Sequence, residues 1–345
     1  MKNFTDKEEG VFIIAELSAN HNGSLETALE TIKAAKRAGA DCIKLQTYTA
    51  DTLTIDSNKK DFIINSGSIW DGKTFYELYQ NAYTPWEWHA ALFEKAKKEG
   101  LVCFSSPFDK TAVDFLEDLN VPAYKIASFE ITDIPLIEYT ASKGKPMIIS
   151  TGIATYEDIQ LAVETCRKVG NEDITILKCT SSYPAPVEEA NMVMMQQYAK
   201  DFEVKVGLSD HTLGNTVPVV ATVLGARVIE KHFILDKSVG GPDASFSLDE
   251  EEFKTMVEAV REAEKAMGKV DYTLTEKQEK GKDFSRSLYV VKDIKKGEKI
   301  TEENLRSIRP GFGLHPKHLP EVLGKSAKSD LEKGNRLTFK YLDIE

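Results

Sequence analysis

Residues 11–46 read VFIIAELSANHNGSLETALETIKAAKRAGADCIKLQ, two apolar runs with a helical pattern between them. The runs, Val11–Leu17 and Cys42–Gln46, have the length and aliphatic content of strands that are buried on both faces. Ser24–Arg37 begins with a Ser cap and ends before Gly39, as an α-helix does. A strand, a helix and a second strand of this kind predict one unit of a parallel sheet.

The same alternation recurs until eight strand-like runs have been counted. The other six runs are Leu101–Ser105, Ala123–Ala127, Pro146–Ser150, Ile174–Cys179, Lys205–Leu208 and Arg227–Phe233. Eight βα units in a row favour a closed barrel, and no Gly-rich dinucleotide fingerprint follows the first strand to favour an open sheet. We therefore predict an α/β fold, a (β/α)8 TIM barrel, over residues 1–270.

The character of the sequence changes after the last barrel helix. Residues 271–284 are polar and rich in Lys and Glu, which predicts a linker. Short strand signals with several glycines follow over residues 285–345, so we expect a second, small, mostly-β domain there. Within the barrel, the connection Tyr48–Thr84 is unusually long and carries several aromatic residues. We interpret it as a lid or substrate wall, or else as an insertion packed on the barrel rim.

The bulk composition is that of an ordinary globular protein. Among 345 residues, 44 Lys and Arg stand against 55 Asp and Glu, a net charge of −11. Such an acidic surface argues against a nucleic acid or an anionic membrane as partner. The four cysteines form no CxxC pair, the polar start of the chain carries no secretory signal, and no apolar run approaches membrane-spanning length. We therefore expect a cytoplasmic protein with reduced thiols.

Polar side chains gather where the predicted strands end, which is the catalytic face of a barrel of this type. Lys44, Lys125 and Lys178 each lie in an apolar strand, where an unpaired lysine is strongly unfavourable. One such lysine is explained by a structural ion pair, but three at equivalent depth indicate an anion site for phosphate or carboxylate. The other polar residues at these strand ends include Glu16, Gln46, Ser105, Ser106, Ser128, Glu130, Ser150, Ser181, Tyr183, Ser209 and Glu230.

Two histidines stand at the ends of neighbouring strands, His211 after the seventh and His232 on the eighth. Glu16 on the first strand comes beside the eighth once the barrel closes. Two converging imidazoles with a nearby carboxylate suit a hard or borderline divalent ion with open positions. We therefore predict a divalent metal site at His211 and His232. In contrast, we interpret His89 as part of a surface helix.

Seven segments together carry a resemblance to a known family. They are Ala15–Glu16 with Asn20–Gly23, Ile43–Gln46, Tyr124–Ile126, Ser150–Gly152, Gly207–His211, Glu230–Phe233 and Gly241–Asp243. They resemble the sialic acid synthase family, whose members condense phosphoenolpyruvate with acylamino sugars. The later segments Asp293–Gly297 and Arg309–Gly311 resemble the antifreeze-like (SAF) domain that completes these enzymes.

Within the family, the resemblance is greatest to the branch that makes pseudaminic acid. It rests on Glu16–His21, Ala82–Trp88 and Ser181–Pro186. The sialic and legionaminic branches usually have a glycine-containing segment where this chain has Ser18 and Ala19. The resemblance implies a transferase that joins phosphoenolpyruvate to 2,4-diacetamido-2,4,6-trideoxy-L-altrose. The alternatives are N-acetylneuraminate or legionaminate synthesis, a Schiff-base aldolase on the same barrel, or a sugar-binding protein without activity.

The resemblance also implies a role for each site residue. Phosphoenolpyruvate would be held by Lys44, Lys125, Ser128, Ser150 and Ser209, with Ser105 or Ser106, and a phosphate contact would lie at the position of Ser181. The metal ion, Mn²⁺ or Mg²⁺, would be bound by His211 and His232. The sugar site would be lined by Gln46, Tyr183 and Asp243, and Arg309 would contact an acylamino group. Glu16 would position water or the sugar near the metal, and Glu16 or Asp243 would transfer protons. In the family the small domain reaches over the barrel of the partner subunit, which implies a homodimer with exchanged domains.

Overall fold

The computed structural model describes residues 10–65, 67 and 69–343, and its first unit is a closed barrel of eight parallel strands. The strands are β1 Phe12–Glu16, β2 Cys42–Thr47, β3 Val102–Pro107, β4 Tyr124–Ile126, β5 Met147–Ser150, β6 Ile174–Cys179, β7 Lys205–Asp210 and β8 Val228–His232. Strand β8 pairs with β1 so that His232 lies opposite Glu16, and this pairing closes the barrel. The predicted TIM barrel is confirmed.

Helices follow the strands because their apolar faces cover the outside of the barrel. The helices of this unit are α1 Leu25–Arg37, α2 Ala50–Leu53, α3 Phe75–Ala82, α4 His89–Glu99, α5 Lys110–Asp118, α6 Ile134–Ala141, α7 Tyr156–Lys168, α8 Val193–Phe202, α9 Thr216–Val223 and α10 Glu250–Met267. The Ser24 side chain caps α1, as predicted, and α1 buries Ala28, Ile32 and Ala35. A capping box of Asp249 and Glu252 starts α10. These caps satisfy backbone N–H groups that have no partner within the helix.

The barrel wall is tightly packed between β7 and β8. Gly207 of β7 lies so close to its neighbour that an added Cβ would come within 2.3 Å of the Val228 carbonyl oxygen. Only glycine allows this approach. Strand β7, which leads into His211, pairs with β8, which ends at His232, with Ser209 opposite Glu230.

The long connection after β2 contains structure of its own. Helices α2 and α3 lie in it, and the Tyr48 and Tyr79 rings pack edge to face at 5.8 Å. The Trp70 ring lies 5.6 Å from the Tyr183 ring, which belongs to the loop after β6. The connection therefore reaches the strand-end face, as a substrate wall requires, and its role as a wall remains a prediction.

The second unit begins at Lys269. Its strands β9 Ser287–Val290 and β10 Leu305–Ile308 are antiparallel, and its own core includes Leu288, Leu305 and Leu337. Two short helices belong to it, α11 Glu276–Gly281 and α12 Leu319–Val322. Helix α11 falls inside the segment predicted as a linker, because the Thr275 and Gln278 side chains form a capping box. Among the described residues, no helix is both long and apolar enough to cross a membrane.

Candidate active site

Four charged side chains meet at the centre of the barrel. Lys44 pairs closely with Glu16, and the Glu230 Oε1 atom lies 3.6 Å from both Lys44 Nζ and Lys125 Nζ. All four residues are buried. Two lysines and two carboxyl groups therefore lie together among buried side chains. Buried charges persist only when they are paired in this way.

Uncharged polar groups complete this cluster. Ser209 Oγ donates to Glu230 Oε1 at 3.3 Å, Lys44 Nζ donates to Ser106 Oγ at 3.3 Å, and Gln46 Nε2 donates to Glu16 at 3.0 Å. Burial favours the neutral form of Glu230, but the two lysines outweigh it and hold the pKa of Glu230 below its usual value. The cluster therefore keeps a carboxylate between two ammonium groups.

A second polar region follows β4, β5 and β6. The Gly152 N–H donates to Ser128 Oγ at 3.2 Å. An added Cβ on Gly152 would lie 2.0 Å from Ser181 Oγ and 2.7 Å from Ser128 Oγ, so glycine alone fits. The hydroxyls of Ser150 and Ser181 are buried, and neither has a hydrogen-bond partner in the part of the chain that the structure describes. Such unpaired donors are costly unless a ligand accepts from them.

The two predicted metal ligands are brought together. The His211 and His232 rings lie 5.4 Å apart, and Phe246 packs edge-on against both. His211 Nδ1 donates to the Thr180 carbonyl oxygen at 2.8 Å, which leaves its Nε2 with a lone pair. Burial and the neighbouring His211 lower the pKa of His232 well below its usual value, so His232 is neutral.

These donors fit a divalent ion. The buried His232 Nδ1 has no hydrogen-bond partner among the described residues, and it lies 3.8 Å from the Asp243 carboxylate. Two imidazoles, one of them oriented by a carbonyl group, are the ligand type that borderline divalent ions prefer. Within residues 10–65, 67 and 69–343 no group of three or more His, Cys, Asp or Glu is arranged around a metal position.

Tyr183 lies beside the imidazole pair. Its ring is 4.4 Å from the His211 ring and 5.0 Å from the Phe246 ring. The Trp70 ring packs against the Tyr183 ring at 5.6 Å.

Lys178 does not join the other two lysines. Its Nζ donates to the neighbouring Cys179 carbonyl at 2.8 Å and to Thr180 Oγ1 at 3.2 Å. The Cys179 thiol contacts Ser128 and His211 inside the barrel, so Lys178 must point to the opposite face of β6. The prediction of a three-lysine anion site is therefore wrong, and the site contains a lysine pair.

Ser105 and His89 also lie elsewhere than expected. Ser106 contacts Lys44, whereas Ser105 Oγ lies 2.7 Å from Thr47 Oγ1 on the other face of the strands. Of the two serines offered for phosphoenolpyruvate, the geometry therefore supports Ser106. His89 Nε2 accepts from Thr47 at 2.8 Å and is fully buried, so its prediction as a surface residue is wrong. This network joins α4 to the outside of the barrel.

Three residues at the site had no predicted role. Glu230 bridges the lysines, and the Cys179 thiol lies 3.8 Å from His211 Nδ1. Glu130 follows β4; burial raises its pKa to about 7, although Lys125 opposes the shift. Its Oε2 is buried without a hydrogen-bond partner among the described residues. The signal for Glu230 was present in the sequence, because it lies two residues before His232 and so shares its face.

Arg309 belongs to the second unit. It is exposed on the segment that follows β10, directly before Pro310. Its contact with an acylamino group remains a prediction.

Polar side chains gathered at the strand ends of an eight-stranded parallel barrel are the architecture of the barrel enzymes, whose active sites lie at this face. The chain belongs to the NeuB family, whose model matches residues 31–272, and a SAF domain follows at residues 285–342. The predicted family is therefore confirmed.

Similar proteins come from several bacteria. The chain is 55% identical to the pseudaminic acid synthase of Campylobacter jejuni over 96% of both sequences. It is 38% identical to the N,N'-diacetyllegionaminic acid synthase of Legionella pneumophila, over 96% of this chain and 94% of that protein. The crystal structure of the spore coat polysaccharide biosynthesis protein SpsE of Bacillus subtilis superposes with a TM-score of 0.66 at 32% identity, covering 98% of this chain and 97% of that one.

Proposed function

We propose that the chain condenses phosphoenolpyruvate with 2,4-diacetamido-2,4,6-trideoxy-L-altrose and water to give pseudaminic acid and phosphate. The observation that carries this proposal is the 55% identity to a pseudaminic acid synthase over nearly the whole of both chains. The lower identity to the legionaminic acid enzyme makes that sugar the weaker choice. The reaction forms one carbon–carbon bond and breaks the bond between C2 and the phosphate oxygen.

The lysine pair suits the charged end groups of phosphoenolpyruvate. Lys44 and Lys125 lie on either side of Glu230, and they are the inward-facing lysines of the cluster. An arriving carboxylate or phosphate shares these ammonium groups and accepts from the unpaired Ser150 and Ser181 hydroxyls. The low dielectric of the site strengthens each of these contacts. Phosphoenolpyruvate is thereby fixed with its C3 atom free to react.

His211 and His232 would hold the divalent ion, Mn²⁺ or Mg²⁺. When bound there, the ion supplies Lewis acidity toward the aldehyde of the open-chain sugar. The Thr180 carbonyl keeps His211 in the tautomer that presents its Nε2 lone pair. Asp243 and Tyr183 then line the sugar beside the histidines, and Gln46 completes that wall.

The reaction itself needs charge stabilisation and proton movements at two carbons. Attack of C3 on the aldehyde carbon forms the new bond, leaves positive character at C2, and turns the aldehyde oxygen into a hydroxyl that takes up a proton. Water adds at C2 and loses a proton, and phosphate then departs with the electron pair of the C–O bond while the C2 hydroxyl loses its proton to form the ketone. The buried Glu16 and Asp243 and the half-buried Glu130 are carboxyl groups that can exchange these protons. Glu130, with its pKa near 7, is well matched to proton exchange at neutral pH.

A homodimer with exchanged small domains is part of the proposal. In it, Arg309 of one chain would contact the acylamino group of the sugar in the barrel of the other. Its exposed guanidinium is available for such a contact. We also infer a cytoplasmic location, where phosphoenolpyruvate is present.

The test is an assay of inorganic phosphate release with a panel of acylamino sugars, with and without chelator. We expect release with the diacetamido trideoxy altrose, loss of activity with chelator and recovery with Mn²⁺. Preferred release with N-acetylmannosamine or the legionaminic precursor would move the assignment to the corresponding synthase. Trapping of a pyruvate imine by borohydride, without phosphate release, would change the assignment to a Schiff-base aldolase.

A further inference from the structure

A lysine and an aspartate form an ion pair on the outer face of the barrel, between strands β7 and β8. Lys231 lies opposite Asp210 in the pairing of these strands, and Lys231 Nζ donates to Asp210 Oδ2. The two side chains are 0% and 1% exposed. Glu230 and His232, on either side of Lys231, face the inside of the barrel, so Lys231 points outward. The proposed reaction makes no use of this pair.

The same lysine also holds the turn that follows β7. Its Nζ donates to the Thr212 carbonyl oxygen. Asp210 Oδ1 accepts from the Thr212 N–H at 2.9 Å and from the Thr212 hydroxyl at 2.8 Å. Thr212 is thus held by three contacts, one from Lys231 on β8 and two from Asp210 at the end of β7. His211 stands between Asp210 and Thr212, so both chain neighbours of this imidazole are fixed.

Stability alone is a weak reason for a buried ion pair. The desolvation of two charges offsets much of their attraction, and apolar residues of similar volume often serve as well or better. An apolar pair at these two positions would leave the Thr212 N–H and carbonyl without these partners. Lys231 and Asp210 satisfy both groups and thereby set the path of the chain through His211. Their contribution is therefore one of geometry.

We propose that Lys231 is a positioning residue that ties the turn carrying His211 to the strand carrying His232, with Asp210 as the link between them. The pair sets where the His211 ring stands relative to the His232 ring, 5.4 Å away. Groups that orient metal ligands from behind typically change metal affinity by about 10- to 100-fold when they are lost. The inference rests on the proposed function in one respect, since it takes these two histidines to bind the divalent ion. It is independent of which sugar is used.

The test compares the wild type with Lys231→Met and with the double variant Lys231→Met/Asp210→Asn. Methionine fills the space of the lysine side chain, and asparagine keeps an oxygen for the contacts with Thr212, so the double variant loses the tie between the two strands. The single variant leaves the Asp210 charge buried without its partner and should lower Tm, which the second substitution should restore. Binding of Mn²⁺ to the metal-free protein, followed by electron paramagnetic resonance of the free ion, should be weaker by about tenfold in both variants.

The matched control is the double variant Lys205→Met/Asp173→Asn. Lys205 begins β7 and pairs with Asp173 at 3.3 Å, at the opposite end of the same strand from His211. The control removes the same two charges from the same strand without touching the turn. It should bind Mn²⁺ as the wild type does.

A Lys231→Met/Asp210→Asn variant that recovers both Tm and wild-type Mn²⁺ affinity would show that the pair is structural only and would overturn the inference. Crystal structures of the wild type and of this double variant, both without metal, give a readout that does not depend on metal binding. We expect the separation of the His211 and His232 rings to change, and unchanged ring positions would also overturn the inference. If the wild type binds no Mn²⁺, the metal site of the proposed function fails instead, and the ring positions still decide the role of Lys231.

Discussion

The carboxylate of Glu230 lies 3.6 Å from the ammonium group of Lys125, and both side chains are buried in the centre of the barrel. Lys44 lies at the same distance on another side of the same oxygen. One carboxylate thus fixes the spacing of two lysines that come from different strands. In the proposed reaction, phosphoenolpyruvate must share these lysines with Glu230.

Replacing Glu230 with Gln should therefore lower kcat without weakening the binding of phosphoenolpyruvate. The amide keeps the size of the side chain but loses the charge that offsets the repulsion between the two lysines, and misplacement of this kind costs about 100-fold in rate. Removal of a negative charge beside an anion site strengthens the binding of the anion, so KM for phosphoenolpyruvate should stay the same or fall. Steady-state phosphate release with each substrate varied in turn measures both constants.

Asp41→Asn provides the control for Glu230→Gln. Asp41 pairs with Arg261 at 3.0 Å before the start of β2, at the opposite end of the barrel from the site. Its loss should lower Tm and leave kcat unchanged, because that end of a barrel serves stability. A Glu230→Gln variant with normal kcat and a raised KM for phosphoenolpyruvate would contradict the role given to Glu230.

The imidazole pair gives a second prediction. His211→Ala and His232→Ala should each abolish metal-dependent turnover while the circular dichroism spectrum stays that of the folded protein. Each loses one of the two nitrogens that the site offers to a divalent ion. Metal content after dialysis and phosphate release across an Mn²⁺ titration are the measurements. His315→Ala, at an exposed position of the second unit, should retain both. Near-normal activity in both site variants would remove the metal hypothesis.

Much of the barrel is predictable because eight apolar runs alternate with capped helices. Lys44 and Gln46 were correctly placed together, since residues two apart on a strand share a face. The count of eight strands predicted that the first and last strands are neighbours in a closed barrel, and the structure places His232 opposite Glu16. These inferences depend on periodicity and strand order, which a sequence displays directly.

The errors come from features that periodicity does not encode. Lys178 and Ser105 were assigned to the site by their place at strand ends, yet each lies one residue away from the inward-facing position. A shift of one residue moves a side chain to the other face of the sheet. The importance of Glu230 was missed because the lysines were counted without the carboxylates that buried lysines require.

The half-buried Glu130 leads to a prediction about pH. Burial raises its pKa from 4.5 to about 7 in the folded protein. Between these values the folded chain keeps a proton that the unfolded chain releases, so its contribution to stability is complete below pH 4.5 and is lost as pH rises through about 7. Glu130→Gln mimics the protonated form, so the decrease in Tm between pH 4.5 and about 7 should be smaller in this variant than in the wild type. Glu188→Gln, at an exposed position, should leave the wild-type slope. An unchanged slope in Glu130→Gln would show that Glu130 does not hold the proton.

Arg309→Ala should raise KM for the sugar and leave KM for phosphoenolpyruvate unchanged, because the guanidinium is proposed to contact only the acylamino group. Arg306→Ala is the matched control, an exposed arginine three residues earlier on β10, and should behave as the wild type. A change confined to KM for phosphoenolpyruvate would contradict the assignment of Arg309.

The exchange of small domains can be tested with the same variant. If Arg309 serves the partner's barrel, a mixed dimer of Arg309→Ala and His232→Ala chains contains one complete site: the intact barrel of the first chain with the intact small domain of the second. Activity at low sugar concentration should therefore recover when the two purified variants are unfolded, mixed and refolded together. If each small domain serves its own barrel, every site in the mixed dimer lacks either Arg309 or His232, and mixing restores nothing.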